Sequence, residues 1–148
     1  MKTKKVRDLL RQKGTSVVTA PHSATVYRCI QIMVDHNVGS ILLVNDGSLA
    51  GIFTERDYLR RIVLEGRTSK TTKVREVMTA DVTVATPDTT VEECLTIMTT
   101  VRCRHLPVMA DSRIAGLVSI GDCVKQLLHD AQSEASSLHN YVRGRYPM

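Results

Sequence analysis

At 148 residues the chain is one domain of ordinary size, or two half-domains sharing a core, and 43% hydrophobic with 24% charged residues excludes a disordered polymer. One Phe, four Tyr and no Trp require an aliphatic core, and apolar runs such as Ile41 to Val44 are far too short to span a membrane. The net charge of +5 sits partly at Lys2, Lys4, Lys5 and Arg7, without aromatic-basic interleaving or zinc-finger spacing, so neither a nucleic-acid nor a membrane partner is expected.

No apolar signal region follows the basic N-terminus, which makes a cytoplasmic location the expectation. The cysteines, Cys29, Cys94, Cys103 and Cys123, form no C-x-x-C. Cys29 and Cys94 fall on apolar helix faces and read as small core residues. Cys123 follows Asp122 near a helix start, where its pKa would fall, and it too reads as structural. His22, His36, His105, His129 and His139 show no H-x-x-x-H spacing and no carboxylate partner, so no metal site and no catalytic residue is assigned.

In chain order, residues 4–13 give a short helical pattern with Val6, Leu9 and Leu10 on one side and Gly14 as a stop. Val17 to Ala20 is a short β-branched strand ended by Pro21. Ser23 or Thr25 opens a helix with Val26, Cys29, Ile30, Met33 and Val34 at helical spacing. The strand Ile41 to Val44, a turn at Asn45-Asp46-Gly47-Ser48 and the strand Leu49 to Phe53 make a hairpin, since Asp-Gly tolerates the positive φ that such turns need. Thr54 leads into a helix ending near Gly66, residues 67–73 are a polar linker, and Val74, Val77 and Met78 form a single amphipathic turn. Arg60 and Arg61 read as a solvated helix face.

From Val82 the pattern starts again. Val82-Thr83-Val84 reads as a strand, and Pro87-Asp88-Thr89 starts a helix with Val91, Cys94, Leu95 and Met98 on its apolar face. Leu106 to Met109, the turn Asp111-Ser112-Arg113 and Ile114 to Val118 make a second hairpin, and a last helix begins near Ile120 and reaches about Arg143. A shift of 65 pairs identical residues at 26/91, 29/94, 32/97, 33/98, 46/111, 50/115, 51/116 and 57/122, which is 8 of the 38 positions from 26 to 63. Self-similarity at a fixed period marks a tandem repeat. Each half has too few elements to bury a face alone, so the expected fold is α/β, of the α+β type, with two β-α-β-β-α repeats packed sheet to sheet about a pseudo-twofold axis. The expected divisions are an N-terminal helical segment (1–15), repeat 1 (16–66), a linker (67–80), repeat 2 (81–130) and a C-terminal extension (131–148).

Each repeat ends its hairpin on one motif, Gly51-Ile52-Phe53-Thr54-Glu55-Arg56-Asp57 and Gly116-Leu117-Val118-Ser119-Ile120-Gly121-Asp122. A hydroxyl residue at a helix start, with an aspartate one turn on, suits a vicinal diol plus a phosphate, because the carboxylate accepts from sugar hydroxyls and free N–H groups favour an anion. The same spacing is also a capping signature that needs no ligand.

These two motifs, the run Arg104-His105-Leu106-Pro107-Val108 and the segment Val74-x-x-Val77-Met78-Thr79 together resemble a tandem cystathionine-β-synthase (CBS) domain pair, or Bateman module, over about residues 5 to 130. Residues 138–144 are similar to the tail of small bacterial proteins of this kind, and the chain is expected to be a stand-alone pair. The resemblance implies a non-catalytic regulatory module that binds an adenosine ligand, such as AMP, ADP, ATP, NAD(H) or S-adenosylmethionine, and dimerises into a flat disc that signals to a regulated protein. It implies ribose contacts by Thr54 with Asp57 and by Ser119 with Asp122, and a base held near Val18 to Pro21, with Thr19, Ala20 and Pro21 as the contacts, or near Val84 to Pro87. Phosphate contacts are assigned to Arg56, Arg104 and His105, with Lys70 and Thr72 behind them. The copies differ, since Arg56 becomes Gly121 and Gly39-Ser40 becomes Arg104-His105, so unequal affinities are expected. The rival readings are a protein-interaction scaffold without ligand and an enzyme acting on nucleotides.

Overall fold

A computed structural model describes residues 3–134. Helix α1 (Val6–Lys13) is followed by strand β1 (Thr19–Pro21), helix α2 (Val26–His36) and the hairpin β2 (Ser40–Asn45) and β3 (Ser48–Thr54). One turn of α-helix, α3 (Glu55–Asp57), runs straight into a π-helical segment, Tyr58–Val63, and a 3₁₀ turn covers Val74–Glu76. Helix α4 (Val91–Val101), strands β4 (His105–Ala110) and β5 (Arg113–Ser119) and helix α5 (Ile120–Glu134) complete the order. The expected reach of the last helix to Arg143, and the tail, lie outside the described residues.

Local chemistry accounts for the boundaries. The Thr25 hydroxyl accepts from the Arg28 amide at 3.1 Å and starts α2, and Thr90 forms a capping box with Glu93, at 3.0 and 2.9 Å, to start α4. Both helices stop on a left-handed residue, Asn37 (φ 53) and Arg102 (φ 62). The hairpins turn on Asp46-Gly47 (φ 52 and 81) and Asp111-Ser112 (φ 51 and 64), the paired positive φ values of a type I′ turn. Both carry a bulge at the same place, after Leu43 and after Val108, leaving Ala50 and Ala115 unpaired at equivalent positions.

The repeats diverge at their first strand. In repeat 1, β1 pairs in parallel with β2, and the Leu42 amide donates to Val18 O at 3.1 Å. The strand expected at Val82-Thr83-Val84 does not form; only Ala85 bridges to Val108, with the Ala85 amide on Pro107 O and the Met109 amide on Ala85 O, both at 2.9 Å. The position of Leu42 is taken by Pro107, which has no N–H to extend the ladder. The sheets are therefore β1-β2-β3 and β4-β5.

Each helix-covered face builds one core, and each core borrows from the segment ahead of the other repeat. Ala20, Val26, Cys29, Met33, Ile41, Leu43, Phe53 and Ile62 pack with Val74 and Val77 of the linker turn. Ala85, Val91, Cys94, Met98, Leu106, Val108, Val118 and Cys123 pack with Val6, Leu9 and Leu10 of α1. Backbone bonds match this exchange: Val6 N to Thr89 O (2.8 Å) and Val91 N to Lys4 O (3.0 Å), against Val74 N to Ala24 O (2.8 Å) and Val26 N to Thr72 O (2.9 Å). Alternation along β2 turns Leu42 away from Ile41 and Leu43, yet it is buried, because that face meets the second sheet where β3 contacts β5. At ~1.5–3 kcal/mol for each large aliphatic side chain fully buried, the swapped Val6 and Val74 alone tie the halves together strongly.

Candidate functional site

The hydroxyl–aspartate motif is built at the end of β3. Thr54 pairs with Ser40, and the Glu55 amide donates to Gly39 O at 3.1 Å, which fixes where the chain leaves the sheet. Thr54 N and Thr54 Oγ1 both donate to Asp57 Oδ2, at 3.0 and 3.1 Å, and the Asp57 amide donates to Thr54 Oγ1 at 3.2 Å. The capping box is thus complete in repeat 1, and all of its carboxylate bonds fall on one oxygen. Among the described residues, no hydrogen bond reaches Asp57 Oδ1.

That carboxylate faces a cleft of about 670 Å³, a size suited to a small organic ligand. Repeat 1 contributes Gly39, Ile52, Thr54, Glu55, Arg56, Asp57 and Arg60 to its walls. The junction contributes Thr79, Asp81, Val82 and Thr83, and repeat 2 contributes Val101 to His105. Ile52, Val82 and Val101 give apolar surface. Four arginines, Arg56, Arg60, Arg102 and Arg104, give cationic surface against Glu55, Asp57 and Asp81. Burial pushes the His105 imidazole below its ordinary range; Lys13 and Arg104 act the same way, while Asp122 and Glu55 oppose them. His105 therefore feels charges from both repeats.

The second motif is built alike and surrounded differently. Ser119 N donates to Asp122 Oδ2 at 2.8 Å, and the Asp122 amide donates to Ser119 Oγ at 3.1 Å. Lys13 Nζ then donates to the same Asp122 Oδ2 at 2.6 Å and to Leu117 O at 2.9 Å. Desolvation raises the Asp122 carboxyl, but the bonds from Lys13 and Ser119 outweigh it and hold it below the usual range. Ser119 and Asp122 do not line the large cleft; Asp122 faces a hollow of about 140 Å³ beside Leu9, Gln12, Lys13 and Lys125.

Of the residues singled out in the sequence, Thr54, Arg56, Asp57, Arg104 and His105 come together. Thr19, Ala20 and Pro21 lie in β1 and do not line this cleft, and neither do Val84 to Pro87; Val82 supplies its apolar edge and Thr83 lines it beside Val82. Lys70 and Thr72 also stay outside it. Lys70 Nζ sits 5.0 Å from the Tyr27 ring centroid, and buried Thr72 donates its hydroxyl to Thr68 O at 2.7 Å. Arg60 is exposed, as a solvated helix face requires, and also lines the cleft, whereas Arg61 departs from that reading, because it is half-buried and its Nη1 donates to Val77 O (2.8 Å) and Met78 O (3.2 Å). Arg102, Asp81 and Thr79 gave no signal as cleft residues. Cys29, Cys94 and Cys123 are buried, with burial pushing the Cys29 thiol up to about 11 and contact with Cys94 pulling the Cys123 thiol down.

Comparison with known proteins places this geometry. The profile of the CBS domain matches residues 6–64 and 74–129. The chain is similar to the mitochondrial CBS domain-containing protein CBSX3 of Arabidopsis thaliana, 40% identical over 150 residues, covering 95% of this chain and 73% of that protein. It is also similar in structure to a putative signal-transduction protein with CBS domains from Burkholderia ambifaria, at TM-score 0.83 and 41% identity over 86% of this chain and 96% of that one. The CBS domain pair of MJ0100, in complex with 5-methylthioadenosine and S-adenosyl-L-methionine, shares the fold at TM-score 0.75 and 24% identity, covering 88% of this chain and 99% of that one. Among the described residues no helix is long and apolar enough to cross a membrane. The chain belongs to the CBS-domain family and carries two CBS domains as a tandem pair.

Proposed function

We propose that this CBS pair is a non-catalytic regulatory module that binds an adenosine nucleotide in the Thr54/Asp57 cleft. The observation that carries the reading is the Asp57 carboxylate, held by its own capping box with Oδ1 left open on a 670 Å³ cleft lined by four arginines. A vicinal diol donates to the open oxygen, an apolar edge at Ile52 and Val82 takes the base, and Arg56, Arg104 and His105 meet phosphate. That the MJ0100 pair holds adenosine compounds on the same fold supports the choice of ligand class.

The test is thermal unfolding of the purified protein against AMP, ADP, ATP, NAD and S-adenosylmethionine, with GMP and GTP as controls. A ligand that binds only the folded state raises its stability by mass action, so selective stabilisation by adenosine compounds that is lost in Asp57→Asn supports the reading. A well-folded protein that none of them shifts favours the second reading, a ligand-free interaction scaffold. The observation behind that alternative is the capping box, whose bonds are all made between Thr54 and Asp57 themselves.

The module is also proposed to act as a homodimer. Leu59 and Val63 on the π-helical segment with Leu64 just after it (80% exposed), and Val124, Leu127 and Leu128 (58% exposed) on α5, are apolar faces left exposed among the described residues, which a second copy covers. Sedimentation of the wild type against Leu64→Glu/Leu128→Glu tests it, a dimer being expected only for the former. The regulated protein would then read the dimer's ligand-dependent shape through differential affinity for its two states.

A further inference from the structure

The duplication places two carboxylates at equivalent positions, each bonded through Oδ2, yet among the described residues only Asp122 of the two is bonded to a cation. The reason lies in α1. A shift of 68 aligns Val6, Leu9 and Leu10 with Val74, Val77 and Met78, the segments that each enter the opposite core, and it aligns Lys13 with Asp81. At this pair of related positions the first cleft has a carboxylate in its wall, and the second motif has an ammonium on Asp122. The Lys13 head is fixed at two points, 2.6 Å from Asp122 Oδ2 and 2.9 Å from Leu117 O. Its helix is fixed as well, through buried Val6, Leu9 and Leu10. In repeat 1 the corresponding carboxylate oxygen takes a hydroxyl from Thr54; in repeat 2 it takes Lys13.

We propose that Lys13 is a built-in plug, an ammonium seated on the Asp122 carboxylate that bars a sugar diol from it, so that the module takes up one adenosine nucleotide per chain, at the Thr54/Asp57 cleft. The plug rests on the reading of that cleft given above. A nucleotide enters the second site only by displacing Lys13 from Asp122, and the ion pair it must break is three-quarters shielded on the Asp122 side. The ammonium also offsets the carboxylate charge that would strengthen a bond from a diol. The asymmetry between the repeats thus arises outside both motifs, in a segment that precedes them.

Equilibrium titration of the full chain with AMP and with ATP, read as nucleotides bound per chain, tests this. Wild type is expected to bind one, Lys13→Met two, Lys13→Arg one and Lys13→Met/Asp57→Asn one. Met keeps a comparable unbranched stem and loses the ammonium, and a melting curve checks that each variant folds. One nucleotide bound by Lys13→Met, or two by wild type, overturns the plug. No binding by wild type with one bound by Lys13→Met overturns the Thr54/Asp57 reading and upholds the plug, and no binding by either overturns both.

Discussion

Leu10 lies across Gly116: a Cβ on that glycine would stand 2.7 Å from Leu10 Cδ2 and 3.1 Å from Cδ1. Met78 lies across Gly51 in the same way, with its sulfur 2.6 Å from the corresponding point. The glycine that opens each G-h-h-[ST]-x-x-D motif therefore serves the packing of the opposite segment before it serves any ligand. The two contacts are unequal, because Gly51 also faces the backbone oxygen of Thr79 at 2.8 Å. That oxygen is pinned by the paired bonds between Ile52 and Thr79, at 3.0 and 2.9 Å.

Gly51→Ala is accordingly expected to cost more than Gly116→Ala. Overpacking a tight site costs ~1–3 kcal/mol, and Gly51 belongs at the upper end since a pinned carbonyl cannot swing aside. Gly116→Ala belongs at the lower end, because a leucine side chain can change rotamer. Urea unfolding of the two variants decides it, and equal losses would show that the Thr79 carbonyl yields.

Asp57→Asn separates capping from recognition. The asparagine oxygen still accepts from Thr54 N, so unfolding stability should fall by less than ~1 kcal/mol. Adenosine-ligand binding should fall by ~1.5–3 kcal/mol, roughly tenfold to over a hundredfold, since a charge-assisted bond to the diol becomes a neutral one. Calorimetric titration beside a denaturant curve gives both numbers. A large stability loss with unchanged affinity would return Asp57 to a capping role alone.

The parts of this molecule legible in the sequence are those with short-range causes. The Asp46-Gly47 turn, the Thr25 start and the 65-residue period each rest on neighbours within one element or on simple self-comparison. The missing strand at Val82 to Val84 was legible too, in Pro107, but only to a reading that aligned Pro107 with Leu42 and asked where its amide had gone. The cleft was half legible. Motif residues Thr54 and Asp57 announce themselves, whereas Asp81, Thr83 and Arg102 join them only because the opposite core receives Val74 and Val77 and the chain must then cross the sheets. The ion pair between Lys13 and Asp122 spans 109 positions, and no local pattern encodes it.

Arg102 ends α4 in a left-handed conformation (φ 62) where the related position in repeat 1 has Asn37. Holding a long side chain there costs ~1–2 kcal/mol, partly offset by the chain entropy that a glycine would lose. Arg102→Gly should then stabilise the fold by about 0.5–1 kcal/mol while weakening nucleotide binding, more for ATP than for AMP, since a cationic wall of the cleft is lost. Melting curves and ATP and AMP titrations check the two effects, and a variant less stable than wild type would show that the arginine side chain contributes to packing there.

Acid should weaken the fold in two stages. The folded His105 titrates below its ordinary 6.5, so the unfolded chain takes up its proton first and stability falls as pH drops from 6.5 towards the folded value. Asp122 is held below its ordinary 3.8, so its contribution is present above that pH and is lost as pH falls through the folded pKa. After burial, Lys13 is the largest influence holding the His105 imidazole down, and Lys13 also stabilises ionised Asp122. Lys13→Met should therefore flatten both stages, whereas His105→Gln should remove only the upper one. Urea midpoints between pH 8 and pH 3 give the profile. A His105→Gln profile that keeps its slope near pH 6 would show that this stage does not come from His105.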